Sequence, residues 1–449
     1  MPNAIIAAKF GGTSVEDAAS IIHLRDNIVR CDPRRRAIVV SAPAGVTNML
    51  IRWVKSFIDQ SRPTKDVIMV SVRRRFARIA RELELSLDID AMFREIQAHC
   101  EDLRSSELID ELYHYAVSRG EWVNGQIVAA TLDFEFVDAL RFIVVDRKGH
   151  CKLSATKRLA EQIGLVGKTR HGIVVGGFYG RASSGTVRPT LFSRGGSDIT
   201  GAIVAVLVRA KVYENWTDVA GIFAAHPHIV RNPRKNGLMT YKELRELTFM
   251  GFKVFHEDAV AFVRDANIPI HVRCTMTPEK QGTIIVKKLP KGRRPIVTGV
   301  ASRNGFSIVT LEKYGLNDNL GVQGRIERVF TQEGVGVNTT GSIDSVTVIV
   351  ETKLFKPVRD LILKKLKRFQ PDDIRVQNNI ALICTVGEGM RNRVGVSAAV
   401  SDAIATSRTN VEIELQGGSQ INVMRGVKEK NGPRAVRAID RKFSKKFKR

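Results

Sequence analysis

Apolar and polar positions along the chain fall into short segments whose period changes with location. Residues 4–10 form a nearly unbroken apolar run that predicts a buried strand, and it runs directly into Gly11 and Gly12. Residues 15–29 place apolar side chains at helical spacing. Residues 37–41 (AIVVS) read as a second strand, ending in the loop APAGVTN. From about residue 49 to residue 118 the pattern is helical, with no strand worth assigning. Strands return at 141–145 and 172–177. Strand, glycine-bearing loop and helix in alternation argue for an α/β fold with a mostly parallel sheet. Ligands in such folds gather at the carboxyl ends of strands, where these glycine loops stand.

The texture changes after residues 287–295 (KKLPKGRRP), which combine charge, glycine and two prolines and read as a linker. Short β-type stretches at 306–311, 345–351, 380–386 and 420–423 then alternate with helices. GVQGRIERVF from Gly321 is echoed by GVSAAVSDAI from Gly395, 74 residues later. Each helix is followed by a strand and a Gly-Ser pair, Gly341-Ser342 and Gly418-Ser419. Two copies of a small helix-and-strand module account for that order.

Composition narrows the class. The 449 residues are 43% hydrophobic and 26% charged, an ordinary globular balance that excludes a disordered, fibrous or disulfide-stapled chain. The longest apolar run, 199–208, is far short of the roughly 18 residues a membrane helix needs. No basic segment precedes the first apolar stretch, so a secretory signal is not expected and the cytoplasm is. Five cysteines, at 31, 100, 151, 274 and 384, contain no CxxC pair and read as free thiols. The charge is unusual: 71 Lys and Arg against 46 Asp and Glu give +25. Part of that excess lies after residue 427, where ten basic and two acidic residues read as a solvated tail. Three Trp and six Tyr do not interleave with the basic runs, so a nucleic-acid surface is not expected.

Three segments carry candidate chemistry. KFGGTS places Lys9 at a strand end, then two glycines and two hydroxyls, a geometry in which backbone N–H groups approach an anion. FSRGGSDITGA repeats the device with Arg194, two glycines, Ser197 and Asp198, although either of the last two residues could simply cap the following helix. ENWTDVAGIFAAHPHIV holds Thr217, Asp218 and Gly221 after a strand.

In this order the three segments resemble the aspartokinases of the amino-acid kinase family. SAPAGVTN, SRGEWVNG, MGFKVFHEDAV and IPIHVRCTMTPEKQGTII add to the match, and VGEGMRNRVGV and ELQGGSQINV resemble tandem ACT domains. The resemblance covers residues 9–427. It implies a three-layer αβα kinase domain over residues 1–290 and two ferredoxin-like ACT modules over 296–427, with 428–449 as a basic tail. It also implies transfer of the γ-phosphoryl of ATP, with Mg²⁺, to the β-carboxylate of L-aspartate. Lys9 would bridge the transferring phosphate, with Asp198 orienting it and Gly11 and Gly12 supplying N–H groups. Arg194, Ser197, Glu121 and Thr47 would hold aspartate, Arg194 at its α-carboxylate and Glu121 at its ammonium. Thr217, Asp218, Phe223, His228 and Lys253 would meet the nucleotide. No dedicated metal cage is expected, and a homodimer or larger homo-oligomer is.

Several positions depart from the family pattern. Phe223 stands where a tyrosine is usual, His228 where an arginine reaches the phosphates, Phe252 where a small residue precedes Lys253, and Glu257 where a proline follows the histidine. An effector site is expected at Gly321, Val322, Val337 and Asn338. Asn338 replaces an aspartate that would pair with the amine of lysine, so lysine and threonine both stay open as effectors. A non-catalytic ligand sensor, or a kinase for another acidic substrate, is the alternative.

Overall fold

The computed structural model describes residues 4–59, 62–167, 171–184, 187–192, 195–251, 255, 257–290, 295–318 and 320–445. The chain divides into two units, one made of residues 1–222, 236–241 and 253–289, the other of 223–235, 242–252 and 290–449.

The first unit is built on β1 (Ile6–Phe10), β2 (Arg35–Val40), β3 (Glu135–Phe136), β4 (Val144–Val145), β5 (Ile173–Gly176), β6 (Tyr179–Ala182), β7 (Pro189–Leu191), β8 (Val212–Thr217), β9 (Leu238–Thr240), β10 (Ile270–Cys274) and β11 (Thr283–Val286). Eight of these form one sheet in the order β3-β5-β2-β1-β8-β10-β11-β9, parallel at every pair except β10–β11. The others form a small sheet, β4-β6-β7. Ala7, Ala8, Phe10, Ile38, Val39, Val40, Val174 and Val175 are buried, as continuous apolar strands in a parallel sheet must be. The helices are α1 (Ala18–Leu24), α2 (Val46–Ile58), α3 (Arg62–Glu82), α4 (Ile89–Ser105), α5 (Ile109–Leu132), α6 (Leu153–Gln162), α7 (Gly196–Leu207), α8 (Tyr241–Phe249), which lies in the second unit from its second residue, and α9 (Glu257–Asp265). The helical stretch expected between residues 49 and 118 is α2 to α5. The helix expected over 15–29 starts later, at Ala18, and ends in a π-helical turn at Arg25–Val29: a 3-10 turn spans Gly12–Val15, and Asp17 then caps α1 by accepting the Ser20 N–H at 2.8 Å. The strand expected at 141–145 keeps only its last two residues, because Asp138 caps a 3-10 turn at Ala139–Arg141.

The second unit holds one antiparallel sheet, from β12 (Gly299–Glu312), β13 (Val337–Ser342), β14 (Ser345–Glu351), β15 (Asp373–Val386), β16 (Ile413–Leu415) and β17 (Asn422–Lys428), in the order β13-β14-β12-β15-β17-β16. Its helices are α10 (Val322–Thr331), α11 (Thr352–Phe355), α12 (Arg359–Leu366), α13 (Val396–Thr406) and α14 (Gly432–Lys445). The strands β12 and β15 each serve two modules. Residues 306–312 and 373–379 pair beside β14 and close one module around Ile326, Phe330, Phe355 and Ile362. Residues 299–303 and 380–386 pair beside β17 and close the other around Val400, Ile404, Val436 and Ile439. The first module is continuous in sequence, while the second takes a strand from before the first. The sequence repeat is recovered in detail, since Gly321 and Gly395 cap α10 and α13 with left-handed φ values of 72° and 83° that a side chain would strain.

The expected solvated tail is not one. Within it, α14 buries Ala435, Val436, Ile439 and Phe443, and only its outward face is basic. The net charge of the run hides an apolar spacing of 435, 436, 439 and 443. The five cysteines are unpaired, and burial pushes the Cys100 thiol up to about 12. No helix among the described residues is long and apolar enough to cross a membrane.

Candidate active site

The parallel register places Lys9 of β1 directly opposite Asn215 of β8, at the carboxyl ends of both strands. The first turn of α7 brings Asp198 onto that pair. Its Oδ1 lies 2.7 Å from Lys9 Nζ and accepts from Asn215 Nδ2 at 3.4 Å. Both charged side chains are largely buried, so the ion pair is held in a fixed geometry with little screening. The alternative in which Asp198 or Ser197 caps α7 does not hold. Gly195, with φ 81° and no side chain to bond the first turn, is the N-cap. Asn215 is a site residue the sequence reading missed. Its Oδ1 is buried without a partner, and only the strand register marks it.

The two glycines stand in different surroundings, and only Gly12 is held to glycine by a close approach. The Gly11 amide donates to Trp216 O at 3.2 Å, so it ties β1 to β8 rather than facing an anion. A Cβ on Gly11 would meet nothing closer than 3.7 Å. At Gly12 a Cβ would stand 2.8 Å from Ala42 O, because the 41–45 loop closes over it. Gly12 O accepts the Ala44 N–H at 3.0 Å. Arg75, from the middle of α3, then joins both loops: Nη1 donates to Ala44 O at 2.7 Å and Nη2 to Glu16 O at 2.9 Å. The sequence gives no hint of this, since Arg75 stands in a run of three arginines on a helical segment.

The same 41–47 segment reaches the second carboxylate. Thr47 Oγ1 donates to Glu121 Oε1 at 3.3 Å, while Glu121 Oε2 is buried with no partner. Glu121 is 3% exposed, and burial pushes its carboxyl up to about 7. Nearby Arg119 makes no ion pair with it. The guanidinium lies over the rings of Tyr115, Trp122 and Tyr179 and donates to Ser118 Oγ at 2.9 Å. A buried carboxylate with an open oxygen and no ion pair among the described residues is suited to receive an ammonium from a ligand. Asn124 fixes the adjoining loop by donating to Ser41 O at 2.8 Å, another contact not foreseen. Ser197 sits against Gly177, where a Cβ would come within 2.7 Å of its Oγ.

Thr217 and Asp218 follow β8 at the same sheet edge, with the Thr217 hydroxyl on Asp218 Oδ1 at 3.0 Å, and Asp218 is exposed. Ser14 Oγ and Thr275 Oγ1, 2.6 Å apart, link the glycine loop to the end of β10. Phe223 and His228 belong to the second unit, where His228 is exposed and stacks on His226 with ring centroids 5.1 Å apart. Arg194 and Lys253 lie outside the described residues. Of the expected effector residues, Val322 and Val337 pack in the first module's core, and Gly321 and Asn338 are exposed.

Comparison with known proteins gives a consistent picture. Residues 4–274 match the amino acid kinase family and residues 383–443 match an ACT domain. Aspartokinase 3 of Bacillus subtilis is 32% identical over 458 positions, covering 97% of this chain and 98% of that protein. The crystal structure of Clostridium acetobutylicum aspartate kinase superposes with a TM-score of 0.86 at 31% identity, covering 98% of this chain and all of that one. The lysine-sensitive aspartokinase 3 of Escherichia coli is 27% identical, over 93% of this chain and 94% of its own.

Proposed function

The chain belongs to the aspartokinases of the amino acid kinase family, and from that premise we propose that it transfers the γ-phosphoryl group of ATP to the β-carboxylate of L-aspartate, giving 4-phospho-L-aspartate and ADP. The observation that carries this reading is the Lys9–Asp198–Asn215 cluster at the ends of β1 and β8, joined through the 41–47 loop to the open carboxylate of Glu121. A carboxylate is already a nucleophile at neutral pH, so the site needs no general base. It must hold the acceptor in line and stabilise charge on the transferring group.

Lys9, fixed by Asp198, supplies the positive charge at the phosphoryl group in flight. Gly12 and the 3-10 turn after it form the phosphate-facing loop, and Arg75 keeps that loop in register with residues 41–45. Glu121 takes the ammonium of aspartate, Thr47 and Ser197 flank it, and Arg194 is assigned to the α-carboxylate. Thr217, Asp218, Phe223, His228 and Lys253 are assigned to the nucleotide by family resemblance. Among the described residues no group of three or more His, Cys, Asp or Glu could hold a metal alone. The Asp198 carboxylate and the unpartnered Asn215 Oδ1 offer hard oxygens that fit Mg²⁺ or its waters. Bound with ATP, Mg²⁺ would neutralise phosphate oxygens.

The two ACT modules are read as a regulatory half. Lysine and threonine are the effectors to titrate, with Gly321 and Asn338 as the exposed part of the expected site. A homo-oligomeric, cytoplasmic enzyme completes the reading. Hydroxylamine trapping with ATP, Mg²⁺ and a panel of acidic amino acids tests it. Aspartate hydroxamate should form, and aspartate binding without ATP turnover would establish the sensor instead.

A further inference from the structure

The outward face of α14 has no part in the reaction assigned above, yet it helps to line an arginine-rich cavity of the second unit. That cavity measures about 650 Å³ and is bounded by Val230, Arg231, Asn232 and Arg234 from one loop and by Arg437, Asp440, Arg441 and Ser444 from α14. Four guanidinium groups therefore line one concavity, against a single carboxylate. Helix geometry sets up the display. The spacing of Arg437 and Arg441, four residues apart, puts both on one side of α14, while Val436, Ile439 and Phe443 turn into the module core. Arg437 Nη1 also donates to Ile229 O at 3.3 Å, which holds the loop wall against the helix wall. Asn232 adopts φ 53°, a left-handed turn that returns the loop towards Arg234.

The chemistry of the lining is one-sided. A guanidinium presents five N–H donors and no acceptor, so Arg231, Arg437 and Arg441 together offer a fork-like array suited to phosphate oxygens. Among the described lining residues Asp440 is the only countercharge. It accepts from Ser444, and burial raises its carboxyl against the opposing pull of Arg234. The volume falls within the range of small-molecule sites, large enough for a phosphorylated metabolite rather than a lone ion.

We propose that the cavity between the 230–234 loop and α14 is a binding site for a small anion carrying two or more phosphate charges. None of its lining residues belongs to the set assigned to aspartate, ATP or the amino-acid effector. The site does not depend on the chain being an active kinase, because binding is read directly.

The test is calorimetric titration of the full chain with inorganic pyrophosphate at fixed ionic strength. The variant is Arg437→Ser with Arg441→Ser, both on the exposed face of α14, so the apolar face that holds the helix is untouched. The charge-matched control is Lys364→Ser with Arg368→Ser, exposed positions on and beside α12 that line no part of the cavity. The proposal expects the α14 variant to lose at least tenfold in affinity for one class of pyrophosphate sites, with the control unchanged and the KM for ATP unaltered in both. Equal weakening in both double variants would reduce the effect to the +25 charge of the chain and overturn the proposal. Unchanged pyrophosphate binding in the α14 variant, with its thermal transition intact, would overturn it as well.

Discussion

Replacing Glu121 by Gln should make the protein more stable and a poorer enzyme at once. Burial moves the Glu121 carboxyl from 4.5 to about 7, which means the folded site disfavours the charged form. Ionising it in the folded chain above pH 7 therefore costs about 3 kcal/mol relative to the unfolded chain. The cost is present in full above pH 7 and disappears as pH falls below about 4.5, where both states are protonated. Gln keeps the shape and removes the charge. The variant should exceed the parent by about 3 kcal/mol at pH 8, and by only about 1 kcal/mol at pH 5, in ligand-free denaturation. The parent's aspartate affinity should fall about tenfold from pH 8 to pH 6, because only about a tenth of Glu121 is ionised at pH 6. The variant should show a raised aspartate KM without that pH dependence. A stability difference that is the same at pH 8 and pH 5, with aspartate KM unmoved, would refute both the burial argument and the ammonium role.

Lys9→Met should lower kcat by about three orders of magnitude while leaving the circular dichroism spectrum unchanged, since the lost charge acts in the transition state; near-parental turnover would remove Lys9 from the mechanism. Arg75→Met should lower kcat about tenfold through misplaced loops, with little change in aspartate KM, and Arg75→Lys should restore only part of it; a purely structural role would show as a lower melting temperature with kcat intact. Gly11→Ala should fold and raise the KM for ATP modestly, whereas Gly12→Ala should lose most activity, because its Cβ would stand 2.8 Å from Ala42 O; thermal melts and ATP titrations of the two distinguish them.

The sequence carried the local devices better than the long-range ones. Lys9, the glycine pair and Asp198 are legible because a strand end, a tight loop and a helix start each leave a mark within a few residues. The repeat around Gly321 and Gly395 is legible because both copies need the same left-handed cap. Asn215 and Arg75 were not, since their value comes from a parallel register and a helix crossing that join residues far apart in sequence. Glu121 was named through resemblance, but its open oxygen and raised pKa come from burial that no short motif encodes. The role of 432–445 was lost for the opposite reason: abundant Lys and Arg outweighed four apolar residues at helical spacing.

The nested modules impose an order on biosynthesis. Residues 306–379 contain every strand and helix of the inner module, so it can close while the ribosome is still making the rest. The outer module begins earlier, at residue 299, yet α14 at the far C-terminus completes it. Until that helix emerges, residues 299–303 and 380–386 can pair but keep an uncovered apolar surface, the kind of exposed intermediate that chaperones bind and that aggregates when crowded. Burying Val436, Ile439 and Phe443 contributes roughly 1.5–3 kcal/mol each, so a nascent or clipped chain ending at 427 lacks several kcal/mol of closure. A stop codon just upstream of α14 would thus do far more damage than the loss of a 22-residue segment of high net charge suggests.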